Sequence, residues 1–307
     1  APLRPLGPAP PDHHQAAPAG ATVESAASRR RPARMPTTTP DSAAAPASTP
    51  VVREVTLAQP LDWLKRGLED LLRCPVPGLA HGLASALFGL TLVAFAHEHF
   101  WMLAGAFSGF LLVAPVVASG LYAVSRALER GEQPTLADVW RLWLGLDRRL
   151  VAFGVLLALA GTGWVLTSAS MVTGFAAAPV QRPLDFLHQV VLHERSWLFE
   201  AWLGVGALLA APMFASSVVA IPLLVDDKRI GVWQAVLTSW RAVLASPAPL
   251  AFWAAILLAV TFAGMATLLL GLVVVVPWLA HASWHAYRDI VAGSGTASGC
   301  GAGAERR

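Results

Sequence analysis

Three copies of one apolar phrase constrain this chain more than any other feature. Gly109-Phe110-Leu111-Leu112-Val113-Ala114-Pro115-Val116-Val117-Ala118 is repeated in pattern from Gly206 through Pro212 to Ala215 and from Gly271 through Pro277 to Ala280. Each copy has a glycine, five largely aliphatic residues, a proline, two apolar residues and an alanine, inside an apolar run that only a bilayer would accept. A proline within such a run is tolerated in membrane helices, where neighbouring helices and side chains re-satisfy the freed backbone groups. The pattern therefore predicts an all-α polytopic membrane protein built by triplication, with its helices paired as hairpins.

Composition agrees. Of 307 residues, 55% are hydrophobic and only 13% charged, far below the roughly 25% charged residues of soluble domains. The formal net charge of +3 does not point to nucleic acid, because Lys and Arg lie between the apolar runs rather than on one basic face. Two cysteines, Cys74 and Cys300, form neither a disulfide framework nor a zinc pattern. Residues 1–55 are rich in Ala, Pro, Ser and Thr with an Arg29-Arg30-Arg31 run, a composition expected to stay disordered. No apolar stretch follows those arginines closely, which speaks against a cleaved signal peptide, and Met35 is a candidate start. The membrane domain is expected over 56–291, with a flexible tail over 292–307.

Periodicity places an amphipathic helix from Pro60, with Leu61, Leu64, Leu68, Leu71 and Leu72 on one face and Asp62, Lys65, Arg66, Glu69, Asp70 and Arg73 on the others. It is too charged to span and reads as an interfacial helix. A second follows Thr135, with Asp138 placed to meet free amides and Leu136, Trp140, Trp143 and Leu144 as its stripe. A third groups Trp233, Val236, Leu237, Trp240 and Leu244. Apolar runs near Gly78–Ala96, Trp101–Ser125, Leu150–Thr173 and Ala201–Val225 each have the roughly 20 residues a bilayer core requires. The last run, Leu250–Trp284, would be about 50 Å as one helix. The repeat divides it in two, with a turn expected near Ala263-Gly264.

Lys and Arg concentrate in alternate connections: Lys65, Arg66 and Arg73; then Arg126, Arg130, Arg141, Arg148 and Arg149; then Lys228, Arg229 and Arg241; then Arg288. The opposite turns hold only Arg182 and Arg195. By the positive-inside rule both ends are expected to be cytoplasmic, which six spans allow and five do not.

Five strings carry a resemblance: W-L-K-R-G-L-E-D-L at 63–71, G-F-L-L-V-A-P-V-V-A-S-G-L-Y at 109–122, S-R-A-L-E-R-G at 125–131, L-T-S-W-R-A-V-L-A-S-P from 237, and H-A-S-W-H-A-Y-R-D-I at 281–290. Over roughly residues 55–291 the chain resembles an uncharacterised family of bacterial integral membrane proteins, domain of unknown function 2189. Some of that family's members carry a cytochrome c oxidase label. The resemblance implies a bacterial inner-membrane location and supplies no mechanism.

Function is narrowed by what the runs lack. No nucleotide-binding or hydrolase fingerprint appears, and no carboxylate, lysine or arginine lies mid-run where an ion-coupled carrier would keep one; an enzyme is the weakest class. The prolines Pro115, Pro212 and Pro277 each free a carbonyl four residues earlier, at Leu111, Leu208 and Val273. Kinked helices of this kind could line a path, with Ser108, Ser119, Thr162, Thr167, Ser216, Ser217 and Thr261 as its neutral lining. The same prolines, with Gly78-x-x-x-Gly82 and Gly105-x-x-x-Gly109, could instead serve close packing. A small-solute permease or channel is the favoured reading. The alternative is a non-catalytic scaffold or accessory subunit, whose partners would be a membrane-protein complex or a second copy. His281 and His285, one turn apart, and His81 are chemically admissible ligands for haem or copper. Their place beside Trp284, Tyr287 and Arg288 at the interface argues against it, and no metal or cofactor is expected.

Overall fold

In the computed structural model, residues 50–96, 102, 105–106, 118–145, 147–192 and 197–292 are described. Pro115, Ser108, His97, Glu98 and His99, and most of the apolar run from Trp101, lie outside them, as do residues 1–49 and 293–307. In chain order the elements are β1 (Val51–Val52), α1 (Gln59–Arg73), α2 (Pro75–Ala96), α3 (Ser119–Glu129), α4 (Leu136–Leu144), α5 (Arg148–Phe175), α6 (Pro183–Phe186), α7 (Leu198–Ser217), α8 (Ala220–Asp226), α9 (Val232–Ala245), α10 (Pro247–Ala266), α11 (Leu272–Ile290) and β2 (Val291–Ala292). A π-helical turn, Leu187–Val191, continues α6.

Four helical stretches are long and apolar enough to cross a membrane among the described residues: Pro75–Ala94, Arg148–Phe175, Leu198–Asp226 and Pro247–Ala266. They turn large apolar side chains outward, among them Leu87, Phe88, Leu159, Leu208, Leu258 and Phe262. In water such a surface would be an aggregation liability; against lipid it is the expected one. α11 is a further helix of 19 residues, but His281, His285, Arg288 and Asp289 in its second half lower its hydropathy.

α1, α4 and α9 are short and amphipathic, and each leads directly into an apolar helix: α1 into α2, α4 into α5 and α9 into α10. The junctions are built by local chemistry. Pro75 and Pro247 stand at first helical positions, where the missing amide hydrogen is not needed. Asp147 caps α5 by accepting from the Arg149 amide at 3.0 Å. The Asp138 carboxylate accepts from the Thr135 amide and hydroxyl at 2.9 and 2.7 Å. In α4 and α9 the apolar stripes face outward, with Trp140 66% and Trp233 73% exposed, as helices lying in an interface require. The opposite face of α9 is narrow, and Ala235, Thr238, Ser239 and Ala242 are buried against the protein.

α1 departs from that plan. Leu61, Leu68 and Leu72 are exposed as expected, but Trp63, Gly67, Asp70 and Leu71 are buried, because α11 packs along that face. Gly67 makes the approach possible: a Cβ there would lie 2.5 Å from the Ala282 amide nitrogen. Trp63 Nε1 donates to Asp289 at 2.8 Å and Arg66 pairs with the same carboxylate. The charged positions of α1 are thus not all on a solvated face.

α2 and α11 run antiparallel in close contact. Along α2, Gly78 meets Pro277, Gly82 meets Val273 and Gly89 meets Leu269. A Cβ at position 82 would lie 2.0 Å from the Val273 carbonyl oxygen, the group that Pro277 frees. Gly105 of the other glycine pair lies beside Val165; Gly109 is outside the described residues.

The last apolar run folds back on itself, but later than Ala263-Gly264. α10 continues to Ala266, and Leu268 and Leu269 take positive φ values of 55° and 68° to make the turn. Gly264 is needed inside the helix contact instead, where an added Cβ would lie 3.0 Å from Val275 Cγ2. The Gly271 amide donates to Thr267 Oγ1 at 2.8 Å and closes the turn.

Before α1 the chain is held rather than free. Val51 pairs with Ala292 and Val52 with Val291, antiparallel; the Arg53 amide donates to the Ile290 carbonyl and the Val55 amide to Ser246 Oγ. These residues were expected inside a disordered tail ending at 55. Two consecutive valines that find a partner at the end of α11 are enough to order residues 51–55.

The end of α8 is tied by two arginines. Arg149 Nη1 and Nη2 donate to the Leu224, Asp227 and Ile230 carbonyls, and Arg126 to those of Val225 and Asp226. Cations suit the free carbonyls at a helix C-terminus. Arg149 also pairs with Asp147, which Lys228 reaches at 2.9 Å; these bonds hold the Asp147 carboxyl far below the usual carboxylate range.

Candidate functional site

Where α1, α2, α3 and α11 meet, the apolar core of tryptophan, leucine and alanine encloses four polar side chains. Asp70 of α1 is 4% exposed, Ser125 of α3 and His281 of α11 are fully buried, and His285 is 8% exposed. Each position follows from local helix geometry. Asp70 lies one turn beyond Gly67, on the stripe begun by Trp63; His281 and His285 are successive turns of one face of α11. Ser125 is on the inner face of α3 with Leu121, Tyr122 and Val124.

The four are connected. Ser125 Oγ donates to Asp70 Oδ2 at 2.7 Å, and His285 Nε2 lies 2.9 Å from the same oxygen. His281 Nδ1 is 2.7 Å from Ser125 Oγ. The hydroxyl has one hydrogen and gives it to the carboxylate, so it accepts from His281 Nδ1–H. That assignment leaves His281 Nε2 as a lone pair, buried and without a partner among the described residues. It faces α2, where a Cβ on Gly78 would stand 3.7 Å away. Burial alone would raise the Asp70 carboxyl, but the hydrogen bonds from His285 and Ser125 outweigh it and hold it below its ordinary range.

The sequence places Asp70 on the polar side of an interfacial helix, away from the interior. The structure corrects that: Asp70 sits outside the spans, on that helix, and reaches the interior because Gly67 lets α1 come close. The spacing of Trp63, Gly67 and Asp70 on one helical stripe carries this information, since a glycine between an aromatic and an acid on one face marks close packing rather than solvent. Ser125 had no comparable mark.

Of the three histidines considered together, two enter the cluster. His81 Nδ1 instead lies 3.0 Å from the Pro77 carbonyl of its own helix. With His285 Nε2 on Asp70 and His281 Nδ1 on Ser125, these rings do not converge on a common point, and the described residues contain no group of three or more metal-ligating side chains. The neutral residues considered as a lining are scattered. Thr162, Thr167, Ser216 and Ser217 each donate to the carbonyl four residues back in their own helix, at 2.7–3.0 Å, the usual partner of a hydroxyl in an apolar helix. Ser216 also accepts from Trp240 Nε1 at 3.0 Å. Ser119 is buried at the start of α3 and Thr261 half-buried in α10. Pro212 lies inside α7, which breaks at Val218-Val219; Pro277 lies inside α11. Ser239 Oγ accepts the Val219 amide at that break, at 3.1 Å.

No curated protein and no solved structure matches the chain. Residues 102–226, from the second apolar run to the end of α8, match the model of the family described as predicted integral membrane protein (DUF2189), the family whose strings the sequence resembles.

Proposed function

We propose that this is a six-span protein of the bacterial inner membrane, made of three hairpins each led by an amphipathic helix, with both ends in the cytoplasm. The run from Trp101 would be the second span and α11 the sixth. Pairing of β1 with β2 supports an even number of crossings, because Val51 lies beside Ala292 and Val52 beside Val291. The Lys and Arg distribution supports the cytoplasmic side for both. An alkaline phosphatase fusion after Asp289 is expected to be inactive and a fluorescent protein fused there to be bright; the reverse pattern would remove one crossing from this topology.

Within that frame we infer a small-solute permease. The observation that carries it is the Asp70 cluster, since a buried carboxylate hydrogen-bonded to a histidine and a serine is the kind of group that transport proteins keep despite its cost. Purified protein in vesicles is expected to admit a small solute that empty vesicles exclude, with flux falling at least about tenfold on Asp70→Asn, the loss that about 1.4 kcal/mol of barrier produces. Equal flux in protein-containing and empty vesicles across a panel of neutral and acidic metabolites would end this reading. The second reading, an accessory subunit or scaffold, is favoured by the Gly82 contact: the carbonyl freed by Pro277 is covered by α2 rather than opened to a path. Recovery of an intact partner complex on mild solubilisation, together with absent flux, would establish it.

A further inference from the structure

Among the described residues the Asp70 carboxylate has no permanent cation. Arg66 pairs with Asp289, Arg126 donates to carbonyls of α8, and Arg288 pairs with Glu129 and Asp226. The remaining ionisable groups facing the cluster bring no fixed positive charge either. They are Cys74 at the end of α1, whose thiol is raised by burial and by Asp70 itself, His81 of α2, and Tyr122 of α3. Among the described residues the two imidazoles can compensate the carboxylate, and they do so only when one carries an extra proton. With both rings neutral, a net charge of −1 is sealed between α1, α3 and α11. An uncompensated buried charge is costly, whereas a buried pair with good hydrogen bonds is tolerated.

We propose that Asp70 and His285 form a proton-binding site: one proton from water completes a His285 imidazolium against the Asp70 carboxylate and fastens α1 to α11. His285 is the seat because its Nε2 lies 2.9 Å from Oδ2 and its ring is 8% exposed, whereas His281 is sealed and meets a hydroxyl instead. Water at the Arg288 end of α11 supplies the proton, which forms a new N–H bond at Nδ1 of His285. Nε2–H keeps its bond to Asp70, the quartet goes from −1 to 0, and the donor is left one proton poorer as hydroxide or as water from hydronium. Loss of the proton restores the bare carboxylate and loosens α1. Ser125 and His281 position Asp70 from the other side.

The site deepens the permease reading and rests on the same cluster, but it is read at equilibrium and without solute. The test uses the full chain, labelled with 15N in its histidine rings and embedded in lipid nanodiscs, with the His285 signals assigned from His285→Gln. Lowering the pH from about 8 to about 5 is expected to give the His285 ring its second N–H signal. Asp70→Asn is expected to lose that gain, while Glu69→Gln retains it. The proposal is overturned if the wild-type ring does not change over this range, a result that needs no variant to fold, or if it gains the proton equally in Asp70→Asn. Titration without flux removes the permease alone, and flux without titration removes this site alone.

Discussion

Gly82→Ala is expected to melt well below the wild type in detergent or nanodiscs and to lose most of its yield as folded protein. The added methyl would stand 2.0 Å from the Val273 carbonyl oxygen, 2.5 Å from its carbon and 2.7 Å from its Cα. All three are backbone atoms, so no side chain can swing aside, and α2 must withdraw along its whole contact with α11. Overpacking usually costs about 1–3 kcal/mol, and a clash with a helix backbone belongs at the top of that range. Gly67→Ala meets a similar obstacle, 2.5 Å from the Ala282 amide nitrogen. Gly163→Ala is the control: nothing lies within 4 Å of its Cβ position, and alanine favours helix over glycine by roughly 1 kcal/mol. A Gly82→Ala protein that melts with the wild type, or a Gly163→Ala protein that melts as far below it, would mean that α2 and α11 do not meet as described.

The second large effect is at Asp70. Asp70→Ala removes the acceptor of both Ser125 and His285 and leaves their donors buried and unpaired, a loss expected to be about 1–3 kcal/mol of stability for each. Asp70→Asn keeps one acceptor oxygen and should cost less. The pH dependence has a defined sign. The Asp70 carboxyl is held below its ordinary value of 3.8, so on the acid side the stabilisation from its ionised form persists down to that ordinary value. It is lost as the pH falls through the lowered one. The wild type should therefore keep its advantage over Asp70→Ala at mildly acidic pH and lose it only in strong acid. Unfolding followed by tryptophan fluorescence at a series of pH values would show this. An advantage that vanishes near pH 6 would contradict the hydrogen-bonded, low-lying carboxylate.

Much of the helical plan was legible because hydrophobic spacing states it directly. Tryptophans at 140, 233 and 240 announce interfacial helices, and apolar runs of about 20 residues announce spans. The glycines of α2 were legible too, since Gly78 and Gly82 lie one turn apart on one face, and both meet α11. The division of the last run was readable only approximately: pattern marks Gly264 as a turn residue, while packing uses it as a contact and gives the turn to leucines with positive φ. Asp70 was misplaced for a related reason. Charge in a helix outside the spans suggests water, and only the neighbouring surface of α11 turns that position inward. Ser125 was invisible, because one hydroxyl in an otherwise apolar helix has no period to betray it. β1 was missed because two valines beyond a Pro-rich tail are a strand only when a partner edge, here Val291–Ala292, exists far along the chain.

The contact between the first helix and the last also fixes an order of events during synthesis. His285 follows Asp70 by 215 residues, which at bacterial and eukaryotic elongation rates is roughly 10–40 s of translation. Throughout that interval α1 has neither the Ala282 backbone against Gly67 nor an imidazole for its carboxylate, so it waits with Asp70 in water. The spans of the middle of the chain must therefore insert and pair without it. A ribosome that stops before α11 releases a chain whose central helices are complete but whose first helix has nowhere to close, with its acid still displayed. Quality-control proteases that read exposed segments would have, in that undocked helix, a mark distinguishing an unfinished molecule from a finished one.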